Sequence, residues 1–565
     1  MLTALVVVCL AVGDGGVVAV DASEFVTDAG VTPLEPVAGV VPDAPYAFDA
    51  GAASFADGGV PLLAASADSE NRQGKPEFVK GELSVYLGSD RLTVKNTRIG
   101  VSLGVDRFLQ AYYALVEPLV DLRFLDGKFG IGVGAPLRLE LVNFEVNPGT
   151  GAPYLFSRAP RLRVEDWDSV HDFGRILKYV TYGRKEDNLY ISAGQRYASS
   201  IGHGAITRRY SPNIDVDYPR ASAQVDAYND YGGFELMTND LLAWNQLAGI
   251  AFVKPFSFFK PQNLILKTLS VGVSGGLDWQ APYALTVVSG ERQVKDGRMQ
   301  ATTRPVGLIG FDVEAKVVKT DNVDIKPYVD YSFLVGGDGG FTAGVLGRFN
   351  VGTQIVNAFR VVAEARFLGS RYIPSFFDTF YEVDRFMYRD VRLDSDVANF
   401  VSKGRYALEY GLGTRAGYYF EASWGIRNAV GVTLAIEGVS NSPAKNFVGH
   451  LEVPVLSFLQ VFGSYYLRGV ESFAELGQTN RQGTLGLFGS KAIGFAGARL
   501  RLLPFLFING RLYKTFRVNQ ELQRYDNQFG FVVDLEVGYE FRKSDPPPPR
   551  DEPVQGAALG SSAMR

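Results

Sequence analysis

Residues 529–553 read FGFVVDLEVGYEFRKSDPPPPRDEP. From Phe529 to Phe541 every odd position is apolar or aromatic: Phe529, Phe531, Val533, Leu535, Val537, Tyr539 and Phe541. The even positions are Gly530, Val532, Asp534, Glu536, Gly538 and Glu540. Alternation at period two is the pattern of a β-strand with two different faces. Here one face is greasy and the other acidic. The strand stops at the proline run, because proline cannot donate to a ladder of backbone hydrogen bonds.

The same alternation recurs upstream. In LDGKFGIGVGAPLRLEL the apolar face holds Phe129, Ile131, Val133, Ala135, Leu137, Leu139 and Leu141, and Arg138 and Glu140 fall on the other. NVDIKPYVDYSF sets Val323, Ile325, Val329, Tyr331 and Phe333 against Asp324, Lys326 and Asp330. RYALEYGLG sets Tyr406, Leu408, Tyr410 and Leu412 against Glu409. GYYFEASWGI sets Tyr418, Phe420 and Trp424 against Glu421, and AVGVTLAIEG continues the theme.

Alternating strands suit a soluble sandwich or a transmembrane barrel. Three features favour the barrel. The alternating segments run about 9–11 residues, the length of a tilted membrane crossing. Aromatics gather toward strand ends, at Tyr406, Tyr410, Tyr418, Trp424, Tyr539 and Phe541, where interface girdles lie. The polar face carries charges of both signs, which a wet lumen accepts and a dry core does not. The expected fold is therefore all-β, a transmembrane antiparallel up-and-down barrel of about 16–20 strands. Short connections such as LDGK, KTDN and IRNA alternate with long ones near 144–173, 199–219, 280–304, 369–403 and 468–487, as periplasmic turns and extracellular loops do. A barrel of this size leaves an aqueous lumen unless its loops fold inward.

Composition bounds the rest. Lys and Arg number 56 and Asp and Glu 61, a net charge of −5, so no basic excess points to nucleic acid. The single cysteine, Cys9, lies in the apolar segment MLTALVVVCLAV. That segment is expected to be the core of a secretory signal spanning residues 1–22, although its basic leading region is missing. Residues 23–78 are rich in Ala, Gly, Asp and Pro and are expected to form a flexible periplasmic segment, too short for a plugging domain. The barrel is expected over 79–541, and a Pro-rich disordered tail over 542–565.

With its repeated alternating strands and terminal VGYEF, the chain resembles Gram-negative outer-membrane β-barrel proteins over about residues 80–541. In that family the last strand ends in an aromatic with another two residues earlier, the signal read by the barrel-assembly machinery. The resemblance carries this role to Tyr539 and Phe541, although 24 residues follow Phe541 here. IGHGAITRRYSPNIDVDYPR and YIPSFFDTFYEVDRF are similar to parts of large porin-like barrels of delta-proteobacterial type.

Ser199 and Ser200 near His203 are the nearest candidate nucleophiles but lack a wider motif, and HExxH, P-loop and cysteine ligand sets are absent, so no enzyme activity, cofactor or metal is expected. His171 is expected in a short amphipathic helix or loop packing Trp167, Phe173 and Ile176, and His450 on a lumen-facing strand position. His203 with Arg208 and Arg209, and Arg385 with Arg389 in an aromatic-rich loop, are candidates for a constriction or loop site. The expected lumen lining is Arg138, Glu140, Asp324, Lys326, Asp330, Glu409, Glu421, Arg499, Arg501, Asp534 and Glu536. A porin-like channel for small polar solutes is the expected function. The alternative is a non-catalytic outer-membrane anchor, or an export or adhesion component acting through its loops and tails. Expected partners are the outer-membrane lipid bilayer, the assembly machinery, small polar solutes and a periplasmic protein.

Overall fold

The computed structural model describes residues 97–541, apart from 109–110, 126–127, 147–152, 156–160, 184–186, 353–356, 391–399, 427–429, 454–457, 479–488, 520–522 and the single positions 197, 296 and 490. The expected signal, the segment 23–78, the first part of the expected barrel (79–96) and the Pro-rich tail lie outside the described residues.

Twenty antiparallel strands form one ring. In chain order they are β1 (Thr97–Phe108), β2 (Ala111–Phe124), β3 (Phe129–Gly134, continued by Leu137–Val146), β4 (Leu177–Tyr182) and β5 (Leu189–Gly194). Next come β6 (Ser222–Tyr228), β7 (Gly232–Thr238), β8 (Gln246–Val253), β9 (Ser270–Asp278) and β10 (Val306–Glu314). Then follow β11 (Val323–Leu334), β12 (Gly339–Val351), β13 (Asn357–Leu368), β14 (Arg415–Ile426) and β15 (Val430–Val439). The ring ends with β16 (Lys445–Val453), β17 (Leu459–Val470), β18 (Ala492–Leu503), β19 (Leu506–Asn519) and β20 (Arg524–Phe541).

The opening stretch is the closing strand. On one side β20 pairs with β19, with Leu506 opposite Val537 and Asn519 opposite Arg524. On the other it pairs with β1, with Thr97 opposite Phe541 and Arg107 opposite Phe531. Closure leaves no unpaired edge, which is what a strand structure in hydrocarbon requires.

The two faces of β20 meet different surroundings. Val533, Leu535, Val537 and Tyr539 are 41–66% exposed on the outside, whereas Asp534 and Glu536 are 2% and 0% exposed inside. Neighbouring strands continue the outer apolar band with Ile99, Leu103 and Val105 on β1 and Val271, Val273 and Leu277 on β9. Ile309, Phe311 and Val313 on β10 and Val329 and Tyr331 on β11 extend it further. This much exposed apolar surface is stable only against lipid. No helix among the described residues is long and apolar enough to cross a membrane.

The connections singled out from the sequence sort by end, although 254–269 also lies at the Thr97 end and the short 335–338 and 440–444 at the other. The end bearing Thr97 and Phe541 has the connections 125–128, 315–322 and 427–429, and the opposite end has 147–176, 195–221, 279–305, 369–414 and 471–491. The expected short and long classes therefore fall on opposite rims.

One expected strand is not a strand. Residues 406–412 were predicted from their alternation to cross the membrane, but Lys403–Arg405 and Tyr406–Tyr410 form consecutive helical turns in the connection between β13 and β14. Ser402 caps them through Arg405 N–H at 3.2 Å, and Gly411 ends them at φ 70°. Arg405 pairs with Glu409 at 2.7 Å and the Tyr406 and Tyr410 rings stack, both at the i, i+4 spacing of a helix. Glu409 is thus an exposed rim residue and not lumen lining, and Tyr406 and Tyr410 are not girdle aromatics.

Tyr539 and Phe541 face outward at the terminal rim, their rings edge to face at 4.9 Å. Phe541→Ala is expected to lower the amount of folded barrel in membranes several-fold, measured as the heat-modifiable band in a denaturing gel. Wild-type levels of that band would remove the assembly role.

Candidate functional site

Described parts of two long connections, 195–221 without 197, and 369–390 with 400–410, fold into the lumen. We call their inward-folded part the lumen insert. Its first limb doubles back on itself, with Ser199 N–H bonded to Tyr210 O at 2.9 Å and Tyr210 N–H to Ser199 O at 2.8 Å. Gly204 permits the tight turn: its φ is +86°, and a Cβ there would lie 2.3 Å from Arg208 Nε.

The two limbs then pair through backbone. Arg208 N–H donates to Phe377 O at 3.0 Å, Phe377 N–H to Ile206 O at 3.0 Å, and Ser375 N–H to Ala205 O at 2.8 Å. Val216 N–H reaches Phe516 O on β19 at 3.0 Å, tying the insert to the wall. These bonds satisfy peptide groups that would otherwise be stranded inside the barrel.

Apolar side chains seal the mouth. Ile201, Ile206, Tyr210, Phe376, Phe377 and Tyr381 of the insert pack on Met237, Ile250, Leu308 and Leu334 of the wall. A second cluster joins Ile214, Phe380, Val383 and Phe386 to Tyr466, Ile493, Phe516 and Tyr525 on β17–β20. The aromatic-rich loop is therefore a packed plug, and Arg385 is buried inside it.

Charge fixes the insert to the wall. Arg208 pairs with Glu364 on β13 at 2.6 Å, and Arg209 with Glu421 on β14. Within the insert Glu382 accepts from Arg220 at 2.8 Å, from Arg385 at 3.2 Å and from the Tyr210 hydroxyl. Arg385 also reaches Asp278 of β9 at 2.8 Å, and Lys403 reaches Asp378 at 2.7 Å. Burial pushes the Glu382 carboxyl up, but Arg220 and Arg385 outweigh it and hold it at about 2. Burial and the neighbouring Glu382 drive the Tyr210 hydroxyl well above its ordinary value.

His203 lies where the first limb meets β10 and β11. Its Nε2 is 2.7 Å from Glu314 and its Nδ1 3.3 Å from Asp330. Its ring stacks on Tyr328 at 3.8 Å. Burial pulls the imidazole down, but the hydrogen bonds and charges of Asp330 and Glu314 prevail and raise it to about 9.

The sequence-predicted lumen residues line the inside in networks. Arg138 pairs with Asp106 at 2.5 Å and Asp166 at 2.9 Å, and Glu140 stands opposite Tyr113. Asp324 meets Lys316 and Lys326 meets Glu314, both at 2.5 Å. Glu536 bonds Arg98 and, at 3.3 Å, Arg499, while Asp534 holds Asn509 at 2.7 Å and Arg511 at 3.2 Å. Arg501 sits near the terminal rim, 3.5 Å from Pro504 O. Arg389 falls in the short strand Arg389–Asp390, and its side chain lies outside the described residues. His450 faces inward against Ser464 at 2.7 Å. His171 lies in a short helical turn, Val170–Arg175, bonded to Asp240 at 2.9 Å and Tyr218, while the Trp167 and Phe173 rings meet at 6.4 Å.

Several residues of the site were not singled out from sequence: Tyr210, Arg220, Asp278, Asp378, Glu382 and Lys403, and on the wall Glu364, Arg360, which pairs with Glu421, and Arg366, which pairs with Glu364 at 2.6 Å. The alternation of β13, NAFRVVAEARFL, was a usable signal for the last three, since all share one parity. The others lie in irregular chain, where no period marks them.

Among the spaces left beside the insert are two that touch both insert and wall. One of about 120 Å³ lies against β1–β3 and β17–β20, lined in part by Asp106, Glu117, Arg138, Lys178, Asp215 and Arg511. The other, about 50 Å³, lies between Arg208, Arg209, Thr379 and strands β14–β17. Both walls are mostly apolar with charged groups set among them, the first holding carboxylates against cations.

No protein-family model matches the chain, and no curated protein matches its sequence. Among solved structures, the siderophore receptor PirA from Acinetobacter baumannii is 8% identical with a TM-score of 0.33, over 79% of this chain and 81% of that one. OccK11 (OpdR) of Pseudomonas aeruginosa is 10% identical with a TM-score of 0.28, over 81% and 100%. Wzi of Escherichia coli, an outer-membrane carbohydrate-binding β-barrel of group 1 capsule assembly, is 12% identical with a TM-score of 0.29, over 86% and 97%. A closed ring of strands, apolar outside and charged within, is stable only around a polar interior and inside a bilayer. The chain is a transmembrane antiparallel β-barrel of twenty strands.

Proposed function

We propose that this barrel is a gated channel for small polar solutes, closed at rest by the lumen insert. The observation that carries the reading is the pairing of Arg208 and Arg209 with Glu364 and Glu421, beside a space of about 50 Å³ that both arginines line. A permanent plug needs only apolar packing. Ion pairs between loop and wall provide a contact that water and a polar solute can replace. Mixed charge along the lumen favours weak ion selectivity. The reading involves no chemical step and no nucleic acid.

The test is planar-bilayer conductance of the purified barrel. Arg208→Ala/Arg209→Ala removes both cations that reach from insert to wall, while Glu364 keeps Arg366 and Glu421 keeps Arg360, so each lost contact is a charged hydrogen bond costing about 1.5–3 kcal/mol. Open probability is expected to rise at least roughly tenfold, the equivalent of about 1.4 kcal/mol of that cost expressed in gating. Equal conductance of variant and wild type, with both folded, would remove the gate.

The dense packing of the mouth favours a second reading, an outer-membrane anchor or an export or adhesion component acting through loops and periplasmic segments. A wild-type barrel that never opens, with a protein crosslinked to it in intact membranes, would select that reading.

A further inference from the structure

The contact between His203 and the wall has a composition that hydrogen bonding alone does not account for. A nitrogen of His203 and carboxylate oxygens of Asp312 and Asp330 all lie within 4.8 Å of one another. Asp312 is 4% exposed and Asp330 7%. Asp312 Oδ1 and Asp330 Oδ2 are buried with no hydrogen-bond partner among the described residues. A buried carboxylate oxygen left without a donor is costly and needs a positive partner.

The space for Asp312 is built. Its Oδ1 occupies the position a side chain on Gly272 of β9 would take, 2.2 Å from where a Cβ would stand. Glu314 joins the group through His203 and through Lys326, so three carboxylates face one lysine.

We propose that His203, Asp312 and Asp330 form a binding site for one divalent transition-metal ion, with Glu314 as a fourth ligand or its hydrogen-bonded support. Imidazole nitrogen with carboxylate oxygen is a donor set of intermediate hardness, suited to zinc or manganese rather than to an all-oxygen ion such as calcium or magnesium. Ligand atoms on a tetrahedral ion at about 2.0–2.2 Å stand roughly 3.3–3.6 Å apart, so the site closes by about an ångström on binding. Stacking on Tyr328 orients the ring for this. The ion replaces a proton on the imidazole, so binding strengthens as pH rises. Because His203 belongs to the insert and the carboxylates to β10 and β11, the ion ties insert to wall.

The test uses the full chain, purified in detergent, stripped by chelator and titrated with Zn²⁺ by calorimetry, with bound metal counted after desalting. About one Zn²⁺ per chain is expected, and Asp312→Asn, nearly isosteric, is expected to weaken binding at least tenfold. Asp324→Asn, a lumen carboxylate paired with Lys316 away from the site, serves as the control and keeps wild-type affinity. Co²⁺ is expected to give a nitrogen-ligated absorption spectrum that His203→Gln changes. Heat-modifiability checks that each variant is folded. If Asp312→Asn does not fold, Asp330→Asn takes its place, and if neither folds the Co²⁺ spectrum of the wild-type barrel decides. The absence of saturable Zn²⁺ binding, its survival in the folded carboxylate variant, or a Co²⁺ spectrum without nitrogen ligation would overturn the site. These readouts measure binding and not transport, so they stand apart from the channel reading.

Discussion

Replacing residues 199–219 by an Asn-Gly turn is expected to convert the closed barrel into an open pore. The ring itself does not depend on the segment: β5 and β6 are direct neighbours, with Gly194 opposite Ser222, and a tight turn spans such a pair. What the replacement removes is the first limb of the insert. Arg208 and Arg209 go, and with them the backbone bonds that hold Ser375 and Phe377 of the second limb. Tyr210, a full partner of Glu382, goes as well. Single-channel conductance is expected to rise by an order of magnitude or more, toward that of a lumen of about twenty strands limited by its walls alone. Liposome swelling with small sugars measures the same change without a voltage. A folded, heat-modifiable variant as impermeable as the wild type would show that the rest of the interior closes the barrel by itself, and the gating role of 199–219 would fall.

The second large effect is expected from Glu382→Gln. Glu382 is fully buried and shared by Arg220, Arg385 and Tyr210, so it sits at the centre of the insert. Glutamine keeps the shape and loses the charge. Arg385 retains Asp278, and Arg220 retains Pro212 O, but the pair of guanidinium groups loses the anion between them. Removing one member of a buried ionic group costs about 3–5 kcal/mol. The cost falls on the insert, because the ring is held by its own ladder. Limited proteolysis of 195–221 and 369–414 is therefore expected to speed up by roughly two orders of magnitude or more while the heat-modifiable band persists.

The same carboxylate sets an acid limit. Its value in the folded protein, about 2, is depressed below that of a free glutamate. A depressed carboxylate contributes stability that is fully present above the unfolded value, about 4.3. That stability is lost as pH falls from there through the folded value. Protease resistance of the wild-type insert is thus expected to decline between about pH 4 and pH 2. Glu382→Gln is expected to show less of this decline, since its contribution is already missing at neutral pH. A variant with the wild-type acid profile would assign the limit to other carboxylates.

How much of this was legible follows from the range of the interactions. On β20 the alternation of Val533, Leu535 and Val537 with Asp534 and Glu536 is local, and it gave the two faces directly. The same held for Asp324 and Asp330 on β11 and for Glu421 on β14. Where alternation is short, the signal is ambiguous. Residues 406–412 carry period two, yet Ser402, the Arg405–Glu409 pair and the Tyr406–Tyr410 stack favour a helical turn. A run of that length cannot settle the choice by period alone.

The amino-acid sequence by itself determined the barrel, its membrane-facing band, its charged interior and the sorting of short and long connections. Each is a property of residues one or two positions apart, or of the spacing between strands. The tertiary structure alone decided that two long connections fold into the lumen. Arg208 finds Glu364 across 156 residues, Tyr210 finds Glu382 across 172, and Arg209 finds Glu421 across 212. His203 reaches Glu314 across 111. No local period encodes such partners. They are selected when two irregular segments enter one low-dielectric space, where a charge left unpaired costs more than the chain entropy spent to pair it.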